Sequence, residues 1–193
     1  MTTIDLGPAG LALLAPLSRV SDADLDRETP CEGRTVGQLI QHLVGLSLAF
    51  RAAAGKDFGP LTDTSPDGDG WPELEDGWRE ALQEQVPAMV EAWRRTSAWQ
   101  GMTRAGGIDL PGEVCGRVAL DELVLHGWDL ARATGQSYEL DDHTAEACLG
   151  FVSTFEASGT PGLFGPAVEV ADDAPLLDRL VARAGRDPQW APS

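Results

Sequence analysis

Positive charge is scarce in this sequence. Lys and Arg total 14 of 193 residues against 31 Asp and Glu, which leaves a formal net charge of -17 and a sequence pI of about 4.3. A nucleic-acid binder must concentrate positive charge to displace counterions, so DNA and RNA are poor partners, and anionic lipid head groups are repelled in the same way. Lys56 is the only lysine, and the excess of Arg, with abundant Ala and Gly, reads as codon bias without functional content. No apolar run approaches the ~20 residues of a membrane span. The start, MTTIDLGPAG, has neither a basic n-region nor a signal-peptide cleavage site. A cytoplasmic chain with no membrane partner is expected. The three cysteines, Cys31, Cys115 and Cys148, are odd in number and lack C-x-x-C spacing. That argues against a disulfide framework and a zinc-cysteine site, and leaves reduced, mostly buried thiols.

Several motifs are missing too. No Gly-rich phosphate loop follows a strand-like segment, no G-x-S-x-G elbow occurs, and GDG within residues 55–72 reads as a turn in a long surface loop. Sustained period-two alternation is absent, so the chain has little that predicts a sheet.

What is present is helical periodicity. With 42% hydrophobic and 23% charged residues the chain suits one globular domain over 1–193. A first helix is expected over about 6–20, starting near Pro8 and kinked at Pro16. Thr35 and Gln38 form a capping-box pattern ahead of Val36, Leu39, Leu43, Leu46 and Phe50, which predicts a second helix to about Ala54. Leu74, Trp78, Leu82, Val86, Met89 and Trp93 predict a third over 73–98, with Pro87 as a kink. A fourth is expected over 114–134, ending at Gly135, and shorter ones over 141–155 and 174–184, with FGPAVEV extended between them. The six tryptophans fall at helical or terminal spacings and read as core packing. The expected fold class is all-α, an antiparallel four-helix bundle with additional short C-terminal helices.

Bundles of this kind build sites from polar side chains that interrupt the apolar stripes. His42 does so in QLIQHLVG, where a hydrogen-bonded structural imidazole is the plain reading. Glu122 and His126 stand one helical turn apart in LDELVLHGWDLARATG, a spacing that serves either a surface hydrogen bond or convergence on one cation. The apolar flanks Val118, Leu125 and Trp128 would partly desolvate Glu122, which then needs a cation or donors. Joined to His42, the pair makes a two-His, one-carboxylate set, the composition of open divalent-metal sites. Asp129 is placed either to orient a ligand or to pair with Arg132. His143, among acids at a helix start, reads as exposed. Cys31 lies about eleven residues before His42, beyond a shared helix turn, and is not assigned a role.

The segments TPCEGRTVGQLIQHLVG, HGWDLARATGQ and GRDPQW together resemble the DinB-like helical bundles, in the branch related to mycothiol-dependent maleylpyruvate isomerase; GRDPQW is similar to the ending of an uncharacterised metal-binding subfamily. The resemblance spans nearly the whole chain. It implies a divalent metal at the bundle mouth, zinc first with nickel or another divalent ion as alternatives, on positions matching His42, Glu122 and His126. It further implies a metal-dependent thiol transferase or isomerase in which a low-molecular-weight thiol, such as mycothiol, attacks a small electrophile. Arg34 departs from the pattern, since the family usually carries Trp after Cys-x-Gly. The isomerase also has an additional C-terminal domain, so its own reaction is not carried over. A metal-dependent hydrolase and a non-catalytic ligand- or partner-binding bundle are the alternatives, and a homodimer is compatible with all three.

Overall fold

Cap chemistry at the helix starts sets the frame. In a computed structural model that describes residues 3–65, 73–160 and 163–192, Thr35 Oγ1 accepts from the Gln38 N–H at 3.3 Å and Gln38 Oε1 accepts from the Thr35 N–H at 3.1 Å. This reciprocal cap opens α2, Val36–Gly55. Before it lies α1, Gly7–Leu17, which carries Pro8 in its first turn, where no N–H is needed. After α2 the left-handed position falls on Lys56, φ 57°, instead of a glycine. Its ammonium donates to the carbonyls of Gln100 and Met102, which ties down the strained residue.

Next come α3, Pro60–Asp63, α4, Trp78–Trp93, and α5, Thr96–Trp99. The single helix expected over 73–98 is therefore two, separated at Arg94 and Arg95. α4 continues across Pro87. Part of the expected surface loop, including GDG and Trp71, lies outside the described residues.

The expected all-α class needs correction at one place. β1, Met102–Ala105, and β2, Ile108–Pro111, pair antiparallel, with Met102 opposite Pro111 and Ala105 opposite Ile108. Gly106 and Gly107 take φ 58° and 77°, the two positive angles that a tight two-residue hairpin turn requires. The hairpin leads into α6, Gly112–Ala133, followed by α7, Asp142–Val152, and α8, Leu176–Arg183. Asp141 caps α7 by accepting from the Thr144 N–H at 3.0 Å. FGPAVEV forms no strand; it is held by a bridge between Thr160 and Phe164 and by the Val168 N–H to the Ala182 carbonyl. The fold is thus mostly helical with a small two-stranded sheet.

Packing follows burial. α2 lies against α4 and α6, α1 lies against α6 and α4, and α7 bridges α6 to α8. Touched on several sides, α6 buries residues all round, among them Leu120, Leu123, Val124, Leu125 and Leu130. Trp93 and Trp99 meet edge to face at 5.3 Å, and their indole N–H groups donate to the carbonyls of Phe50 and Trp93. α6 reaches this pair only because residue 116 is glycine: a Cβ there would sit 2.7 Å from Trp99. Of the six tryptophans, Trp78, Trp93, Trp99 and Trp128 are buried as expected, and Trp190 is half-buried. No helix among the described residues is long and apolar enough to cross a membrane.

Candidate functional site

Two helices carry the candidate donors. α2 presents His42 and α6 presents Glu122 and His126, one turn apart on a single face. The Nε2 atoms of both histidines approach the same oxygen, Glu122 Oε2, at 3.7 Å from His42 and 2.9 Å from His126. The imidazoles meet edge to face at 5.2 Å. One donor atom from each residue lies within 4.8 Å of the other two, a grouping that could hold a metal ion. The side chains of His42 and His126 are 10% and 8% exposed and that of Glu122 is 27% exposed, so the carboxylate is the group turned toward solvent.

Behind His126 stands Asp129, wholly buried. Its Oδ2 lies 3.0 Å from His126 Nδ1, and Arg186 grips both carboxylate oxygens, Nη2 to Oδ2 at 3.1 Å and Nε to Oδ1 at 3.3 Å. Asp129 therefore lies against His126 and pairs with Arg186. Arg132 instead donates to the carbonyls of Pro188 and Trp190, pinning the C-terminal segment to α6. Nδ1 of His126 is thus directed at the Asp129 carboxylate and Nε2 at that of Glu122.

The electrostatics follow from crowding. Burial opposes ionisation of Glu122, yet the hydrogen bonds and charges of His126 and His42 hold its carboxyl far below the usual range. Burial likewise disfavours an imidazolium at His126, but Asp129 and Glu122 outweigh it and raise the ring above its ordinary value. Asp129 stays ionised against its own burial because Arg186 and His126 face it. Asp121, adjacent in sequence, goes the other way: burial, with the Glu122 charge added, pushes it well above its ordinary value, and its Oδ1 meets no donor among the described residues.

His42, Asp121, Glu122 and His126 line a cavity of about 440 Å³, with Asp129 behind them. Its rim brings in Cys31 and Arg34 from the turn before α2, Phe151 and Phe155 from the end of α7, and Phe164 and Arg186 from the C-terminal segment. Chain distance had set Cys31 apart, but the Thr29–Arg34 turn folds it back until its Sγ joins a second potential donor group with His126 and Asp129. Burial, with the Asp129 charge added, pushes its thiol up to about 11. Arg186 and the phenylalanines were not singled out from the sequence; only GRDPQW hinted at the first. His143 is exposed, as expected.

A family model described as the mycothiol maleylpyruvate isomerase N-terminal domain matches residues 6–131. The chain belongs to that family. An uncharacterised protein from each of two Mycobacterium tuberculosis strains is 28% identical over 181 residues, covering 91% of this chain and 92% of the relative. Crystal structures of the mycothiol-dependent maleylpyruvate isomerase and of a histidine-to-alanine variant of it superpose with TM-scores of 0.57 and 0.59 at 19% identity. Each alignment covers 77% of this chain and 68% of the isomerase, a likeness of fold. All three proposed metal donors, His42, Glu122 and His126, fall inside the matched family segment, whereas Arg186 falls beyond it.

Proposed function

We propose that this family member holds one divalent ion on His42, Glu122 and His126 and performs thiol-dependent isomerase or transferase chemistry on a small electrophile. The observation that carries the reading is the convergence of two imidazole Nε2 atoms and one carboxylate oxygen, from two helices, at the floor of a cavity. The donor set fits a divalent ion, since two neutral imidazoles and one carboxylate partly neutralise its charge and leave coordination open. A divalent ion bound there stabilises thiolate over thiol, as it stabilises hydroxide over water.

The chain's own residues do the rest. Asp129 accepts the Nδ1 proton of His126 and fixes its ring, while Arg186 keeps Asp129 ionised and in place. Glu122 turns its carboxylate into the cavity, and the phenylalanine side of the rim limits water around the sulfur. In a transfer to an electrophile that carries a leaving group, the thiolate electron pair would form the carbon–sulfur bond while the bond from that carbon to the leaving group breaks, the leaving group departing with its electron pair and the thiol proton passing to solvent. Zinc is the first candidate metal, nickel or another divalent ion the next, and mycothiol the first candidate thiol. We further propose a single domain over 1–193, built as an antiparallel DinB-like four-helix bundle with short C-terminal helices, working in the cytoplasm and compatible with a homodimer.

Metal content by mass spectrometry tests the site. Wild type should carry close to one ion per chain, and His42→Ala, Glu122→Ala and His126→Ala should each lose most of it while keeping a helical circular dichroism spectrum. Occupancy should fall in acid, because both imidazoles must be deprotonated to coordinate. Near-stoichiometric metal in all three variants refutes the site, and turnover that proceeds without added thiol points to the hydrolase chemistry instead.

A further inference from the structure

The floor of the cavity is polar, but its outer wall is not. Phe151 and Phe155 meet edge to face at 5.2 Å, Phe155 and Phe164 at 5.1 Å, so three rings form a continuous aromatic side. Phe151 is buried, whereas Phe155 and Phe164 are only partly covered and Leu163 beside them is 51% exposed. The Arg183 guanidinium donates to the Phe155 carbonyl, which fixes the middle of the row. Large apolar side chains held partly open at a cavity rim are the usual mark of a surface covered by a ligand.

The lining carries both signs of charge: Glu32 and Arg34 both border the cavity, and the Arg186 charge is already taken by Asp129. Arg34 and Arg186 are the cations among the described lining residues, the second already paired, and the chain as a whole carries -17, which disfavours a doubly charged anion. A volume of about 440 Å³ is of the size that encloses a small organic molecule.

We infer that the aromatic row Phe151, Phe155 and Phe164 is the electrophile subsite, and that it selects an uncharged aromatic molecule over an aliphatic dicarboxylate. As an electrophile subsite it rests on the thiol-transfer reading above; as a binding site for an aromatic ring it stands apart from it. In the transfer itself, with a benzylic halide as substrate, the carbon–sulfur bond forms while the carbon–halogen bond breaks. The halide leaves with its electron pair, and the thiol proton goes to solvent.

Two measurements separate the claims. The first is fluorescence titration of purified protein with N-phenyl-1-naphthylamine, an uncharged aromatic probe. Binding at one site per chain is expected, weakened about tenfold by Phe155→Ala or Phe164→Ala, the scale of one lost aromatic contact. Phe155→Leu should recover part of the loss, and metal content should be unchanged in each variant. 4-Nitrobenzyl alcohol should displace the probe and maleate should not. The second is turnover of 4-nitrobenzyl chloride with added thiol. Probe binding that depends on the phenylalanines, without turnover, sinks the thiol-transfer reading and leaves the aromatic subsite standing. Probe binding that is absent, or indifferent to Phe155→Ala and Phe164→Ala in folded protein, overturns the subsite, as does displacement by maleate in preference to the nitrobenzyl alcohol.

Discussion

Asp129→Asn is the most informative single change in this molecule, because it alters charge and donor pattern without altering size. Asp129 is wholly buried and the Arg186 side chain is 10% exposed, so the ion pair between them has almost no access to water. Both oxygens of Asp129 face donors, Nδ1 of His126 on one and the Arg186 guanidinium on both. An amide offers only one oxygen, so its NH₂ must point at another donor, and a buried guanidinium loses its counter-charge. Breaking a buried ion pair from one side costs about 3–5 kcal/mol. At about 2–4 °C per kcal/mol for a chain of this length, that lowers the melting temperature by roughly 6–20 °C. The same change loosens the support of His126. Loss of such an outer partner typically weakens metal binding about 10–100-fold, or about 1.4–2.7 kcal/mol. The assays are thermal denaturation of chelator-treated protein and competitive zinc titration of protein kept folded at low temperature. Pairing Asp129→Asn with Arg186→Met removes both charges, so the double variant should regain a large part of the lost stability but not the metal affinity. Unchanged melting and unchanged zinc affinity in Asp129→Asn would refute the reasoning, since neither the ion pair nor the support of His126 would then matter.

Further outcomes follow from single contacts. Gly116→Ala sets a Cβ 2.7 Å from the Trp99 ring and 2.9 Å from Trp93; overpacking costs of about 1–3 kcal/mol should exceed the ~1 kcal/mol helix gain of Ala, and melting should fall. Asp141→Ala removes the α7 cap and should cost about 1 kcal/mol by urea unfolding. Hydrogen bonds from the Thr144 hydroxyl and N–H hold the Asp141 carboxyl below its ordinary value, so the cap's contribution is present above the unfolded value near 3.9 and lost as pH falls through the lower folded one. The gap between wild type and Asp141→Ala should accordingly close in strong acid. Arg34→Trp should keep wild-type metal content and change the ranking of electrophiles in a turnover panel; loss of metal from the folded variant would place Arg34 with the metal site.

How much of the fold was legible depended on whether the signal was local. The α2 cap was readable because Thr35 and Gln38 are three residues apart and act on each other. Boundaries drifted where tertiary packing decided them. The stripe from Leu74 to Trp93 begins ahead of α4, and the helix expected to run on to residue 98 stops at Trp93, where the chain turns to bring Trp99 against Trp93. The hairpin escaped because each strand is four residues long, too short for alternation to register, and its two glycines read equally well as a plain turn.

The site divided along the same line. Glu122 and His126 share a helix face, so their approach was available from spacing; His42 was joined to them as a polar break in a second apolar stripe, and the resemblance matched the same three positions. Asp129 was visible as a neighbour of His126 but not its second partner, because Arg186 reaches it from 57 residues further along the chain. Cys31 and Phe164 arrive at the cavity by turns whose paths no periodicity encodes. The two halves of the pocket thus differ in origin. The donor floor is built on regular helices, where spacing fixes direction, and the aromatic wall and the arginine clamp come from turns and the C-terminal segment. Substitutions on the wall can therefore alter what enters the cavity without disturbing the helical positions of His42, Glu122 and His126.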